Sequence, residues 1–129
     1  VPNGQFGTRL QGGKDSASER YIYTMLHKIT RSIFPEQDDA ILKYLNDDGT
    51  PVEPLFYAPI IPMVLVNGSK GIGTGFSTEI LCYNPLDIIA YLKNKLSEQP
   101  TLLVAEFMPY YDGFNGTITT LQPGKYLVR

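Results

Sequence analysis

Residues 46–59 restrict the fold more than any other part of this 129-residue chain. Asn46-Asp47-Asp48-Gly49-Thr50-Pro51 is a run of turn formers, followed by Pro54 and Pro59. Each proline fixes φ at about −65° and removes a backbone donor. Such a stretch is a turn-rich break followed by extended chain. We place a domain boundary near 46–56, with residues 1–48 in one part and 49–129 in the other.

On the first side, residues 1–19 are rich in Gly, Ser and charge, and read as loop with short strand-like pieces. From Ile22 the apolar spacing turns helical, with Ile22, Met25, Leu26, Ile29 and Ile33 on one stripe. Thr24 can cap that helix, and Pro35 ends it after Phe34. Tyr21 then lies just ahead of a rigid element. Asp38-Asp39 can cap a further short helix through Leu45. On the second side, residues 57–66 are rich in strand formers despite two prolines, and read as an edge or interrupted strand. Asn84-Pro85 followed by Leu86, Ile89, Leu92 and Leu96 is a helix start with an amphipathic stripe. Residues 117–121 and 126–129 flank Gln122-Pro123-Gly124-Lys125, a hairpin with Pro then Gly at the turn. The fold class is α+β.

A chain of this length can bury a core of its own. Its ends nevertheless read as internal: Val1-Pro2-Asn3-Gly4 has neither an initiating Met nor the look of a targeting signal, and Tyr126-Leu127-Val128-Arg129 stops inside an expected strand. We therefore expect an excerpt of a longer protein. No apolar run approaches about 20 residues, so no membrane span is expected. Cys82 is the only cysteine, which rules out an intrachain disulfide and fits a reducing compartment. Asn67-Gly68-Ser69 and Asn115-Gly116-Thr117 match the glycosylation sequon, but Asn-Gly is also a turn former, and that reading is preferred.

The overall charge of −2 argues against a generic DNA-coating protein. The charge is unevenly spread, however. Residues 1–34 hold Arg9, Lys14, Arg20, Lys28 and Arg31 against Asp15 and Glu19, a net of +3, and the remainder carries −5. A local basic patch fits phosphate contact, and equally a solvated surface.

Tyr21 stands beside Arg20 in that patch. A phenol has a free pKa of about 10, far below that of an alkyl alcohol. Once deprotonated it can attack a phosphodiester, and it leaves readily in the reverse step. Arg20 offers a forked donor set to non-bridging phosphate oxygens as charge builds; otherwise it forms a surface salt bridge with Glu19 or Asp15. Arg9 and Lys14 can anchor phosphates without reading sequence. Gly71-Ile72-Gly73-Thr74-Gly75 lacks the Gly-x-x-x-x-Gly-Lys-Ser/Thr order, since Lys70 precedes the glycines, and Phe76 stands where a dinucleotide loop needs its last Gly. It reads instead as a turn projecting Ile72, either into a core or between base steps, where an apolar wedge kinks a duplex. His27 falls about two helical turns beyond Tyr21 and is a poor base for it. No Cys or His cluster could bind zinc, and the paired acids Asp38-Asp39 and Asp47-Asp48 read as cap and turn, so no metal site is expected.

Several longer phrases carry a resemblance. Gln5-Phe6-Gly7-Thr8-Arg9-Leu10, Gly12-Gly13-Lys14-Asp15-Ser16-Ala17-Ser18 and Arg20-Tyr21-Ile22-Tyr23-Thr24 resemble the active-site region of eukaryotic-type DNA topoisomerase II, a type IIA enzyme. The resemblance continues through Val52-Glu53-Pro54, Tyr57, Pro59-Ile60-Ile61-Pro62-Met63, Val66-Asn67-Gly68, Gly71-Ile72-Gly73-Thr74-Gly75 and Gly116-Thr117-Ile118, in order and over nearly the whole chain. It implies that residues 1–48 are the C-terminal part of a winged-helix domain and 49–129 the N-terminal part of a mixed α/β tower domain. It implies Tyr21 as the residue that joins DNA covalently, Arg20 beside it, Arg9 and Lys14 on the DNA backbone, and Ile72 as the wedge. It further implies double-stranded DNA as substrate, a homodimer, and Mg2+ and ATP bound by domains absent from this chain. It also implies a nuclear location, or a site of viral DNA replication inside the cell, and an isolated chain that is inactive. Glu19 departs from the family pattern, standing where a Pro or a small residue is expected. Two other classes compete: a non-enzymatic DNA-bending module, with Tyr21 structural, and a nucleotide-binding module built on the glycine loop.

Overall fold

A computed structural model of the chain describes residues 6–21, 24–98 and 107–129. The elements run α1 (Thr30–Ile33), a 3₁₀ helix (Glu36–Ile41), β1 (Tyr44–Asp47), β2 (Thr50–Pro54), α2 (Met63–Asn67), β3 (Ser69–Gly73), β4 (Phe76–Ile80), α3 (Pro85–Lys95), β5 (Ile118–Gln122) and β6 (Lys125–Val128). The class is α+β, as expected. The described strands pair as antiparallel hairpins β1–β2, β3–β4 and β5–β6. The chain divides into two compact units, Val1–Ile60 and Ile61–Arg129.

In the first unit, the turn formers at 46–51 close a hairpin. Asp48 (φ 47°) and Gly49 (φ 88°) are both left-handed, as a two-residue turn that follows strand twist requires. Asn46 Oδ1 accepts the Gly49 N–H at 2.7 Å. Pro51 pairs opposite Asn46 in a two-stranded sheet, where a missing N–H breaks no third-strand ladder.

The helix expected from Ile22 to Phe34 is much shorter. Ile22 lies outside the described residues. Residues 24–29 are not helical, and α1 follows Ile29 with no side-chain cap, so Thr24 does not cap it. Met25, Leu26 and Ile29 are all exposed. Their stripe buries little area, so little offsets the cost of nucleating a helix. Other contacts hold α1. Arg31 reaches Asp39 at 2.9 Å, the Ile60 N–H donates to the Ile33 carbonyl at 2.9 Å, and Phe34 meets Tyr57 edge-on at 5.8 Å. The next helix also differs from expectation. Asp38 and Asp39 lie inside a 3₁₀ helix that follows Pro35, and it ends at Ile41. Asp39 is engaged elsewhere, its carboxylate by Arg31 and its carbonyl by the Tyr44 hydroxyl at 3.0 Å. Tyr44 and Leu45 are consequently in β1 rather than in a helix.

In the second unit, residues 61–66 form no strand. Pro62 precedes α2, and Gly68 (φ 68°) ends it. Proline before and glycine after frame a short helix, and this framing overrides the strand preference of Val64 and Val66. Gly68 is required twice over, because a Cβ there would also approach the Ile80 carbonyl to 2.7 Å and Cys82 Sγ to 3.0 Å. The α3 start is as expected. Asn84 Oδ1 accepts the Leu86 N–H at 3.0 Å, and Pro85 occupies the first turn.

The buried face of α3 matches the expected stripe only in its middle. Ile89 and Leu92 are half-buried, but Leu86 is 70 % exposed and Leu96, just past the helix, 86 %, whereas Ile88 is 1 % exposed. The reason is aromatic. Phe107 is flanked by Tyr83 at 5.9 Å and Tyr91 at 5.5 Å, and its carbonyl accepts the Tyr126 hydroxyl at 3.1 Å. Tyr91 sits three residues after Ile88 on the same face, so packing it on Phe107 turns that face inward. Burial and the neighbouring Tyr126 push the Tyr83 hydroxyl above its ordinary pKa. The β5–β6 hairpin turns at Pro123 and Gly124 (φ 77°), as expected, and Thr117 and Arg129 extend it through two backbone hydrogen bonds of 2.8 and 3.0 Å.

Ile88→Ala should therefore cost the second unit about 2–5 kcal/mol, and Leu96→Ala less than about 0.5 kcal/mol. Urea unfolding of both variants checks this; equal losses would contradict the assigned face.

Candidate functional site

Tyr21 ends a tight turn. Its N–H donates to the Ser18 carbonyl at 3.0 Å, so Glu19 and Arg20 are the two central residues of a β-turn. The first central position is one that proline favours. Glu19 there does without a preset φ and adds a charge beside Tyr21. Glu19 and Tyr21 line one cavity of about 550 Å³ together with Ser16 and Ser18. Arg20 is exposed and takes part in neither the Arg31–Asp39 nor the Lys70–Glu79 ion pair.

The described tyrosines separate by what their side chains do. The hydroxyls of Tyr44, Tyr110 and Tyr126 donate to Asp39, Asp112 and Phe107 respectively. The rings of Tyr57, Tyr83, Tyr91 and Tyr111 pack on Phe34, Phe107, Phe107 and Phe114. Among the described residues, the Tyr21 side chain enters no such pair, and it is 57 % exposed. A phenol whose backbone is held in a turn and whose side chain is exposed can reach an incoming phosphate.

Arg9 and Lys14 come together on one loop, residues 7–16, and both are exposed. The residue that shapes this loop is one that sequence reasoning does not single out. Asp15 Oδ1 accepts the Thr8 N–H at 2.9 Å, and Oδ2 accepts the Thr8 hydroxyl at 3.0 Å. The Thr8 N–H above all, with the Thr8 hydroxyl, holds the Asp15 carboxyl below its ordinary pKa of 3.8. The readable signal is an acid beside a Gly-Gly turn with a Thr on the facing side of the loop. His27 is not on a helix, and its Nδ1 accepts the Ile29 N–H at 3.2 Å.

Ile72 belongs to the second unit. It lies in β3 opposite Ser77, one residue short of the Gly73–Phe76 pair that closes the hairpin, with Gly75 at φ 78° in the turn. It is thus on a strand near the tip, not in the turn as expected, and it is 88 % exposed. Among the described residues, no three His, Cys, Asp or Glu side chains gather as a metal site, and no helix is long and apolar enough to cross a membrane.

Known proteins are similar to this chain in sequence and fold. The family model for the DNA gyrase/topoisomerase IV A-subunit matches residues 1–128. The chain is 55 % identical over 118 residues to DNA topoisomerase 2 of Arabidopsis thaliana, covering 92 % of this chain and 8 % of that protein. It is 49 % identical over 127 residues to DNA topoisomerase 2-alpha of Homo sapiens, covering 98 % of this chain and 8 % of that protein. It also matches a crystal structure of the Plasmodium falciparum topoisomerase II DNA-binding, cleavage and re-ligation domain, with a TM-score of 0.70 and 47 % identity, over 98 % of this chain and 17 % of that one. The chain belongs to the DNA gyrase/topoisomerase IV A-subunit family and corresponds to part of the catalytic region of eukaryotic-type DNA topoisomerase II.

Proposed function

We propose that this segment supplies the DNA cleavage and re-ligation tyrosine of an ATP-dependent type II DNA topoisomerase, and that Tyr21 is that residue. The observation that carries the reading is the exposed Tyr21 side chain, which enters none of the hydroxyl bonds or ring contacts that engage the other described tyrosines. The Tyr21 oxygen gives up its proton and attacks phosphorus. The bond from phosphorus to the deoxyribose oxygen breaks, and that oxygen is released and protonated. The phosphotyrosyl ester keeps the bond energy, so the returning hydroxyl can reseal the strand without ATP. Arg20 stabilises charge on the non-bridging oxygens as the transition state forms.

Arg9 and Lys14 hold phosphates beside the scissile position, and Ile72 separately wedges a base step and bends the duplex. Residues 1–48 belong to the winged-helix domain and 49–129 to the tower in this reading; the β1–β2 hairpin straddles that line. Mg2+ and ATP act from domains outside this chain, in a nuclear homodimer acting on double-stranded DNA.

In a full-length enzyme carrying this segment, Tyr21→Phe should abolish covalent protein–DNA adducts while leaving fold and DNA affinity intact. Adducts at wild-type level after denaturant trapping would remove Tyr21 from the role. Arg20→Ala should lower cleavage by a larger factor than DNA affinity; equal losses would make it an ordinary anchor. Ile72→Ala should leave the melting temperature nearly unchanged, since an exposed side chain loses no burial. It should reduce the DNA bend measured by end-to-end fluorescence transfer, because unstacking costs a few kcal/mol that an inserted side chain offsets. A large stability loss with an unchanged bend would sink the wedge.

A further inference from the structure

Residues 7–16 fold back on themselves through one carboxylate. Asp15 takes both the N–H and the hydroxyl of Thr8, at 2.9 and 3.0 Å. Inside that clasp, backbone N–H groups of Gly13, Gly12 and Lys14 donate to the carbonyls of Thr8, Arg9 and Gln11 at 3.1, 3.1 and 3.2 Å. Gly7, at φ 83°, passes directly against it: a Cβ there would come within 2.8 Å of Asp15 Oδ1 and 2.9 Å of Gly13 Cα. The outer side of the loop carries Arg9, Leu10 (93 % exposed) and Lys14. Ser16, the residue after Asp15, lines the Tyr21 cavity.

An acid here is unfavourable by charge alone. It stands on a loop with two cations and faces a polyanion, so deleting it should strengthen DNA binding. Something has to offset that penalty. The loop holds Gly12 and Gly13 at positive φ, and glycine loses more freedom on ordering than any other residue. Left unclasped, the loop would have to be ordered by the DNA at the expense of affinity.

We propose that Asp15 is a positioning residue, whose two hydrogen bonds to Thr8 preset the loop so that Arg9 and Lys14 meet DNA phosphates beside Tyr21. This rests on the reading of Arg9 and Lys14 as phosphate anchors. Because the folded carboxyl lies below 3.8, the clasp is complete above that pH and loosens only as pH falls through the lower folded value. It is closed throughout the neutral range.

The test is duplex-DNA binding by a full-length enzyme carrying this segment, read by fluorescence anisotropy across a salt series near neutral pH. Each phosphate contact contributes about 0.9 to the slope of log K against log salt. Asp15→Ala should weaken binding and flatten the slope by about 1–2, the opposite of what its charge change predicts. Asp15→Asn keeps an acceptor for the Thr8 N–H and a donor for its hydroxyl, and should bind at least as tightly as wild type. Thr8→Val, which retains the charge and loses one of the two bonds, should fall between Asp15→Ala and wild type, and it serves where Asp15→Ala proves unstable on melting. Tighter or unchanged binding by Asp15→Ala overturns the proposal, as do equal losses in Asp15→Ala and Asp15→Asn. Arg9→Ala with Lys14→Ala separates the two levels. An unchanged slope in that pair defeats the anchor reading itself, whereas a slope flattened there and not in Asp15→Ala defeats only the clasp.

Discussion

Local closure at left-handed glycines holds most of this chain together. Gly49, Gly75 and Gly124 sit at φ 88°, 78° and 77°, and each turns one of the three described hairpins. A two-stranded ribbon is marginal in water by itself, and here packing adds little. Among the described residues Ile88, Pro54 and Pro109 are buried, and Phe6, Leu10, Leu26, Ile41 and Phe76 are well exposed. Backbone geometry at the turns therefore carries a load that a larger core would otherwise share. A side chain at any of the three turn glycines would have to adopt a conformation that costs roughly 1 kcal/mol or more.

The same economy describes how the two side chains proposed to meet DNA are presented. Ile72 and Tyr21 are both held by backbone hydrogen bonding while their side chains stay in solvent. Ile72 is pinned by the ladder that pairs it with Ser77, and Tyr21 by the turn bond to Ser18. A side chain fixed by packing would have to leave its pocket to meet DNA. One fixed only through its backbone can meet it without losing burial, and its direction is set beforehand.

Punctuation is legible in the sequence; burial is not. Asn84-Pro85, Pro123-Gly124 and the break at 46–51 all act locally, through φ and missing donors, and each marks a real feature of the structure. Even so, Asp48-Gly49 between Tyr44-Leu45 and Thr50-Pro51-Val52 is a two-residue hairpin signal, and a count of turn formers shows only a break. Elements inferred from apolar spacing fare worse. Spacing shows which side chains could share a face, and tertiary partners decide whether that face is buried. Met25, Leu26 and Ile29 have the helical spacing without the burial. On α3 the partner is Phe107, far away in sequence; it draws the Ile88 and Tyr91 face inward, with Ile89 and Leu92 half-buried beside it and the stripe's ends, Leu86 and Leu96, left in solvent.

The candidate site divides along the same line. Residue type and a family phrase single out Tyr21, Arg20, Arg9, Lys14 and Ile72, because the chemistry of a phenol, a guanidinium or an apolar wedge is written in the side chain. The role of Asp15 is not written there. Its neighbours make it look like a salt-bridge partner for Arg20, and only the fold reveals that both its oxygens are committed to Thr8. A carboxylate that spends its acceptors on a loop's own backbone and hydroxyl acts as a geometric element more than as a charge. On the proposed reading, an acid can stand beside two cations that meet phosphate because the field it weakens is offset by the arrangement it imposes.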